Sequence, residues 1–473
     1  MQENKTGLTR PAAASLFYTL TAAIGKAAAF IFLPFFTARL GAAAYGRYTL
    51  YLSYEGLLFA AAAFGLGGAA VYRALQHYKG EEDRLLGAAY GLSLTVSLPI
   101  FCIAAFLLRK KLAPLLTVFL FLQVAARVAF TLFGAKCRYR YRYRPLCLMN
   151  LIGELGAPLL GMLLLLWLPI GERARIYAGV FFSVLLGLAS LFSILHRGVR
   201  LYDKKIWRFL LSLQLPLLPH YLSVSLMAEA ARLSVERVLG SEALGAYAVA
   251  HSVGLALSLV TASLGGAFQP WILRKAAAGE HRRVAAAAEK ITLLLCTLSL
   301  LVILASPELF SLLAPMSYSI GLYAVPALCF TVPLSFLATV PICASLSAGR
   351  RGRISLCSLA SALLQLLLCP LLASRFGLGG AAFGALFSYL SFFLLHSVFL
   401  GKEQKGILNV KNCFLICISF ALVGAMMPLL FPYFWLRIIL AVLYLIATAA
   451  QVLPLRSLIL ESKKTTSSSQ ATP

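Results

Sequence analysis

Apolar residues in this chain gather into blocks of about 20, the length of α-helix that crosses a hydrocarbon core of about 30 Å. Fourteen blocks are present, near residues 14–36, 49–71, 86–108, 114–135, 146–168, 177–196, 209–230, 244–268, 290–312, 321–345, 354–373, 379–400, 412–431 and 435–454. Inside a bilayer, backbone polar groups must bond within their own segment, and a block of this length does so as helix. An all-α polytopic membrane protein of about 14 transmembrane helices is predicted. Composition agrees: of 473 residues, 61% are hydrophobic and 12% charged, and the mean hydropathy is +0.87. Soluble chains are about 45–50% apolar and about 25% charged, so a soluble enzyme and a disordered protein are both excluded. The first 12 residues are polar, and the block after them is too long for a signal-peptide core, so it is expected to stay in the membrane.

The net charge is +26, from 42 Lys and Arg against 16 Asp and Glu. A basic chain can bind nucleic acid, but no soluble basic domain is present to hold it, and membrane proteins place Lys and Arg in cytoplasmic loops. With the N-terminus inside, 29 Lys and Arg fall on the cytoplasmic side and 11 outside, while Lys26 and Arg127 lie within spans. Both termini are therefore expected in the cytoplasm. The densest basic loops are 136–144 and 197–208. In the first, Lys136, Arg138, Arg140, Arg142 and Arg144 read as a topology anchor that also holds anionic lipid, or as a docking loop for substrate. The ten cysteines are scattered, without a CxxC or Cys/His cluster, so neither a metal site nor a disulfide framework is expected.

The chain repeats itself. Leu40-Gly41, Gly46 and Tyr48 are matched by Leu239-Gly240, Gly245 and Tyr247, and Leu66-Gly67-Gly68-Ala69 by Leu264-Gly265-Gly266-Ala267, at offsets of 199 and 198. The copies lie six spans apart, an even number, so they share one orientation. Parallel repeats related by an axis along the membrane normal are expected: bundles at 1–200 and 201–405, two extra helices over 406–456, and a disordered cytoplasmic tail at 457–473.

No catalytic constellation, cofactor motif or ATP-binding loop of the form GxxxxGK[ST] occurs. A secondary transporter, flippase, channel or membrane scaffold remains, and no enzyme. Ionisable residues inside spans are costly and by default face a bundle interior or a watery cavity. Lys26 lies mid-span in helix 1 and Arg127 mid-span in helix 4, with Glu55 and Glu154 in helices 2 and 5 as partners. Two arrangements are open: structural ion pairs, or cations facing a cavity and binding an anionic headgroup. His220, between Pro219 and Tyr221, reads as a packed polar residue or a proton site. Arg232, with Glu229, Glu236 and Arg237, reads as an interfacial charge cluster or part of the site. Pro216 and Pro219 should kink helix 7.

Four stretches carry a family likeness: Phe35-Phe36-Thr37-Ala38-Arg39-Leu40-Gly41 with Tyr45-Gly46, Leu215-Pro216-Leu217-Leu218-Pro219-His220-Tyr221-Leu222-Ser223, Leu239-Gly240 with Leu244-Gly245-Ala246-Tyr247, and Gly377 with Gly379-Gly380-Ala381-Ala382 and Ser388-Tyr389. Together they resemble the polysaccharide-biosynthesis flippases of the multidrug/oligosaccharidyl-lipid/polysaccharide exporter superfamily. The resemblance implies two six-helix bundles working by alternating access around a cationic central cavity. It implies a bacterial cytoplasmic membrane, a polyprenyl-pyrophosphate-linked oligosaccharide as cargo, H+ or Na+ as coupling ion, and polysaccharide assembly proteins as partners. Lys26, Arg127, Glu55, Glu154, His220 and Arg232 are the expected substrate-site residues. A multidrug exporter of the same superfamily and a lipid II-type flippase are the alternatives. Where relatives often read Asp-Arg in helix 7 this chain has Ala231-Arg232, and where they often carry Asn in helix 11 it has Gln365 and Cys369.

Overall fold

A computed structural model describes residues 10–66, 69–195, 200–400 and 406–447. Gly67 and Gly68 of the second repeat motif, residues 197–199 of a basic loop, the end of the last span and the 457–473 tail lie outside the described residues. Among the described residues every regular element is helical. Ten stretches are long and apolar enough to cross a membrane. Three of them, Phe17–Ala63, Lys204–Thr261 and Arg351–Val398, are long enough to cross twice, and a shorter apolar helix, Phe434–Ala447, follows. Together they account for the fourteen expected crossings.

The helices form two compact units, one running to Gly245 and including Leu313–Ser317, the other holding Ala246–Leu312 and the residues from Tyr318 onward. The first unit contains α1 (Arg10–Ala63), α2 (Ala69–His77), α3 (Glu82–Leu108), α4 (Pro114–Tyr139), α5 (Tyr143–Trp167), α6 (Glu172–Leu195), α7 (Lys204–Gln214) and α8 (Leu218–Leu239). Its core is a contiguous cluster that includes Leu66, Leu75, Leu86, Leu120, Leu132 and Ile194, all fully buried. Between α7 and α8 a 3-10 turn, Leu215–Leu217, carries Pro216, as expected from the proline pair.

The repeat is visible in the backbone. Gly41 breaks α1 at φ 74°, ψ 166°, and Gly240, 199 residues on, ends α8 at φ 88°, ψ 176°. A left-handed φ with extended ψ is accessible to glycine and costly for other residues. Five residues beyond each break sits the second glycine of the motif. A Cβ on Gly46 would lie 1.8 Å from the Ser241 carbonyl oxygen, and one on Gly245 would lie 2.1 Å from that of Ala42. Each copy thus packs its glycine on the first residue after the other copy's break.

One expected span is corrected. The block at 49–71 does not continue as one helix: α1 stops at Ala63 and a turn follows, with Phe64 and Gly65 at φ 49° and 73°. The cause is tertiary. Gly65 presses on Gln214 and Tyr221, so closely that a Cβ there would lie 2.6 Å from both.

The end of this unit at the N-terminus of α3 is held by ion pairs. Arg84 bonds Asp203 at 2.8 Å and Glu81 at 2.7 Å, Arg140 bonds Glu82 at 2.8 Å, and Lys136 bonds Asp83. Asp203 also caps α7, accepting from the Lys205 and Ile206 amides. Burial opposes ionisation of Asp203, but the hydrogen bonds from Ile206 and Arg84 outweigh it and hold the carboxyl below the ordinary carboxylate range.

The second unit contains α10 (His281–Leu304), α11 (Ser306–Leu313, whose last residue belongs to the first unit), α12 (Val325–Ser347), α13 (Arg351–Val398, kinked at Gly377), α14 (Val410–Met426) and α15 (Phe434–Ala447). α9 (Ser241–Ala277) begins in the first unit and continues in the second. Arg437 of α15 is 5% exposed; it bonds both oxygens of Glu308, at 2.7 and 2.6 Å, and the Leu304 carbonyl at 2.8 Å. That bidentate clamp ties α15 to α10 and α11.

Candidate functional site

Three helices of the first unit place ionisable residues well inside the span, away from its ends. Glu55 is in the second half of α1, Arg127 at the centre of α4 and Glu154 near the centre of α5. They line a cavity of about 370 Å³, together with Arg175 of α6 and the polar side chains Gln123 and Asn150. Binding pockets for small molecules span about 300–1,000 Å³.

Glu55 is almost fully buried and accepts two hydrogen bonds of 2.7 Å, both from Nη1 of Arg127. The other guanidinium nitrogens take no part in this bond. The plane of Arg127 lies over Phe59 with its carbon 4.1 Å from the ring centroid, and its side chain is 46% exposed. Arg175 is held by aromatic faces: Phe36 at 5.0 Å and Tyr48 at 5.7 Å. Among the described residues Arg175 and Glu154 have no ion-pair partner.

Of the six expected residues, the structure brings Arg127, Glu55 and Glu154 to one cavity. Lys26 is half-buried beside Gly25, where α1 meets α5: a Cβ on Gly25 would lie 3.0 Å from Cγ of Glu154. Arg232 pairs with Glu229 at 2.7 Å on α8, and that carboxylate backs onto Gly56. His220 is half-buried near the start of α8, beside Tyr221. Neither His220 nor Arg232 lines this cavity. Arg175, Gln123 and Asn150 were missed by sequence reasoning. Arg175 looks there like one more loop charge beside Glu172 and Arg173, just before the apolar block at 177–196, and only the start of α6 at Glu172 draws it into the helix.

A bundle of membrane-length apolar helices with a buried ion pair between two of them defines a polytopic α-helical membrane protein. The particular family follows from the sequence pattern of the group described as "Polysaccharide biosynthesis protein", which matches residues 12–275. That is more than half of the chain, and the chain belongs to this family. No curated protein matches it in sequence. Among solved structures it is similar to the lipid II flippase MurJ in an inward closed conformation, with 12% identity over 94% of this chain and 99% of that one and a TM-score of 0.67. It is also similar to an inward-facing multidrug resistance MATE family transporter of the MOP superfamily, at 14% identity, 83% and 96% coverage and a TM-score of 0.59. A MOP superfamily transporter from Pyrococcus furiosus, described by the reverse polarity of its binding pocket, matches at 15% identity, 88% and 95% coverage and a TM-score of 0.55. At these identities the likeness is one of fold.

Proposed function

We propose that this protein is a flippase for a polyprenyl-diphosphate-linked oligosaccharide, working by alternating access in a bacterial cytoplasmic membrane during synthesis of a cell-surface polysaccharide. The observation that carries the reading is the half-used guanidinium of Arg127. Glu55 holds one nitrogen and fixes the plane, while the rest of the fork lines a cavity that Arg175 also lines. A guanidinium so oriented donates charge-assisted hydrogen bonds to phosphate oxygens. Glu55 is then a positioning residue, Arg175 supplies the cavity's second cation, Lys26 stands outside the lining on α1 beside Glu154, and Glu154 carries the coupling proton or accepts from sugar hydroxyls. His220 and Arg232 are assigned to the packing of α8. Family membership favours polysaccharide cargo over a drug. An exporter of organic cations needs an excess of carboxylates in its cavity, and here Glu55 is committed to Arg127 while Glu154 faces Arg127 and Arg175 in the same lining.

The test is binding. The protein in nanodiscs is titrated with undecaprenyl diphosphate, alongside Arg127→Gln and Arg175→Gln. Loss of roughly tenfold or more in affinity in either folded variant matches removal of a charged hydrogen bond. No binding by the parent, or equal binding by both variants, refutes the reading and leaves a drug exporter as the next candidate, scored by drug resistance on expression.

A further inference from the structure

A second cavity, of about 570 Å³, lies in the same unit near the opposite end from the Arg84–Asp203 ion pair. The 27 residues of α3 separate the two ends by about 40 Å at 1.5 Å per residue. Charge counting makes this the outer end, which should be poor in Lys and Arg. Yet four cations line this one cavity: Lys111 from the α3–α4 connection, and Arg47, Arg173 and Arg237 from α1, α6 and α8. Charges placed only for topology need not face a single cavity.

The acids do not cancel them. Glu172 is taken by the fork of Arg47, at 2.8 and 3.2 Å. Glu236 accepts from the Ser241 hydroxyl at 2.8 Å. Among the described residues Lys111, Arg173 and Arg237 have no ion-pair partner, and all three are exposed. Four cations against two carboxylates leave an excess of two positive charges. Tyr54, half-buried, also lines this cavity, and an aromatic ring beside hydrogen-bonding groups suits the mixed apolar and hydroxyl faces of a sugar. Tyr51 forms the partition from the Arg127 cavity, donating its hydroxyl to Gln123 at 3.0 Å.

We propose that this cavity binds an anionic saccharide, the acidic glycan of the cargo, through Lys111, Arg173 and Arg237. The inference rests on the flippase reading and names its substrate class: a glycan carrying carboxylate or phosphate groups. The Arg47–Glu172 pair positions the rim, and the three unpaired cations supply selectivity for charge. Salt should weaken this binding, because the cations are exposed.

The experiment uses the full chain in phosphatidylcholine nanodiscs. Trigalacturonate is the acidic probe, maltotriose the neutral one, and undecaprenyl diphosphate reports the Arg127 cavity. The parent should bind trigalacturonate at least about tenfold more tightly than maltotriose. Lys111→Gln and Arg237→Gln should each weaken trigalacturonate roughly threefold to tenfold and leave undecaprenyl diphosphate unchanged, while Arg127→Gln does the reverse. Equal binding of the two saccharides, or binding that both rim variants keep, overturns the inference. So does displacement by phosphatidylglycerol in a cavity that ignores trigalacturonate, which would mark a lipid site. If the parent binds undecaprenyl diphosphate but no saccharide, only this inference fails; if it binds neither, the flippase reading fails as well.

Discussion

At the scale of single residues, depth in the sequence picked out charges of which the structure brings Glu55, Arg127 and Glu154 to one cavity, and it pairs Arg127 with Glu55, one of the two expected partners. Arg127 was legible because it sits mid-span, where an unpaired charge is costly, and Glu55 and Glu154 because they are carboxylates within neighbouring spans that can partner it. Their distances were not legible, since helix rotation about its axis is set by packing and not by span boundaries. Arg437 was not among the expected residues, and it is buried and clamped to Glu308. The Arg127–Glu55 bond should behave as a coupled pair. Arg127→Met strands a buried carboxylate and should lower stability by about 1–3 kcal/mol. Glu55→Gln should cost less, because Arg127 is half exposed and can be solvated. In a double-mutant cycle read by thermal unfolding in detergent, the double variant should lose less than the sum of the singles. Strict additivity would show that the pair contributes nothing to the fold.

Among elements, the glycine repeat was the most informative signal in the chain. Two motifs at offsets of 199 and 198 pointed to an internal repeat, and at matching positions in it Gly41 and Gly240 adopt nearly the same left-handed conformation. What the sequence could not convey is that Gly46 and Gly245 pack on one another's break, because that contact joins residues about 200 apart. The early end of α1 at Ala63 was hidden for the same reason: Gln214 and Tyr221 cause it, and hydropathy sees only local composition. Opposite outcomes follow for two glycine-to-alanine changes. Gly46→Ala drives a methyl into the Ser241 carbonyl, and relief requires the helices to separate, at a cost of about 1–3 kcal/mol by analogy with overpacking. Gly352→Ala, in the first turn of α13 with open space around it, should be neutral or stabilise by up to about 1 kcal/mol. Thermal melts of the two variants should shift in opposite directions or, at the least, only the first should fall.

For the whole molecule, the hydropathy pattern predicted an all-helical polytopic chain, as found, and charge counting gives an expectation for the sides. The structure adds a physical separation on which that assignment can be tested. Arg142, in the turn between α4 and α5, and Lys111, just before α4, flank a helix of 26 residues, about 39 Å long. A hydrocarbon core of about 30 Å fits between them, so the two positions face different compartments. The side with 29 Lys and Arg should be the cytoplasm. Most native cysteines do not interfere, since nine of the ten are buried and the exposed Cys102 lies within a membrane span. A membrane-impermeant maleimide applied to intact spheroplasts should therefore label Lys111→Cys and spare Arg142→Cys, and should label both once the membrane is opened. Labelling of Arg142→Cys alone would invert the topology. The cavity lined by Lys111, Arg173 and Arg237 would then open to the cytoplasm, where it would meet the glycan before transport and not after it.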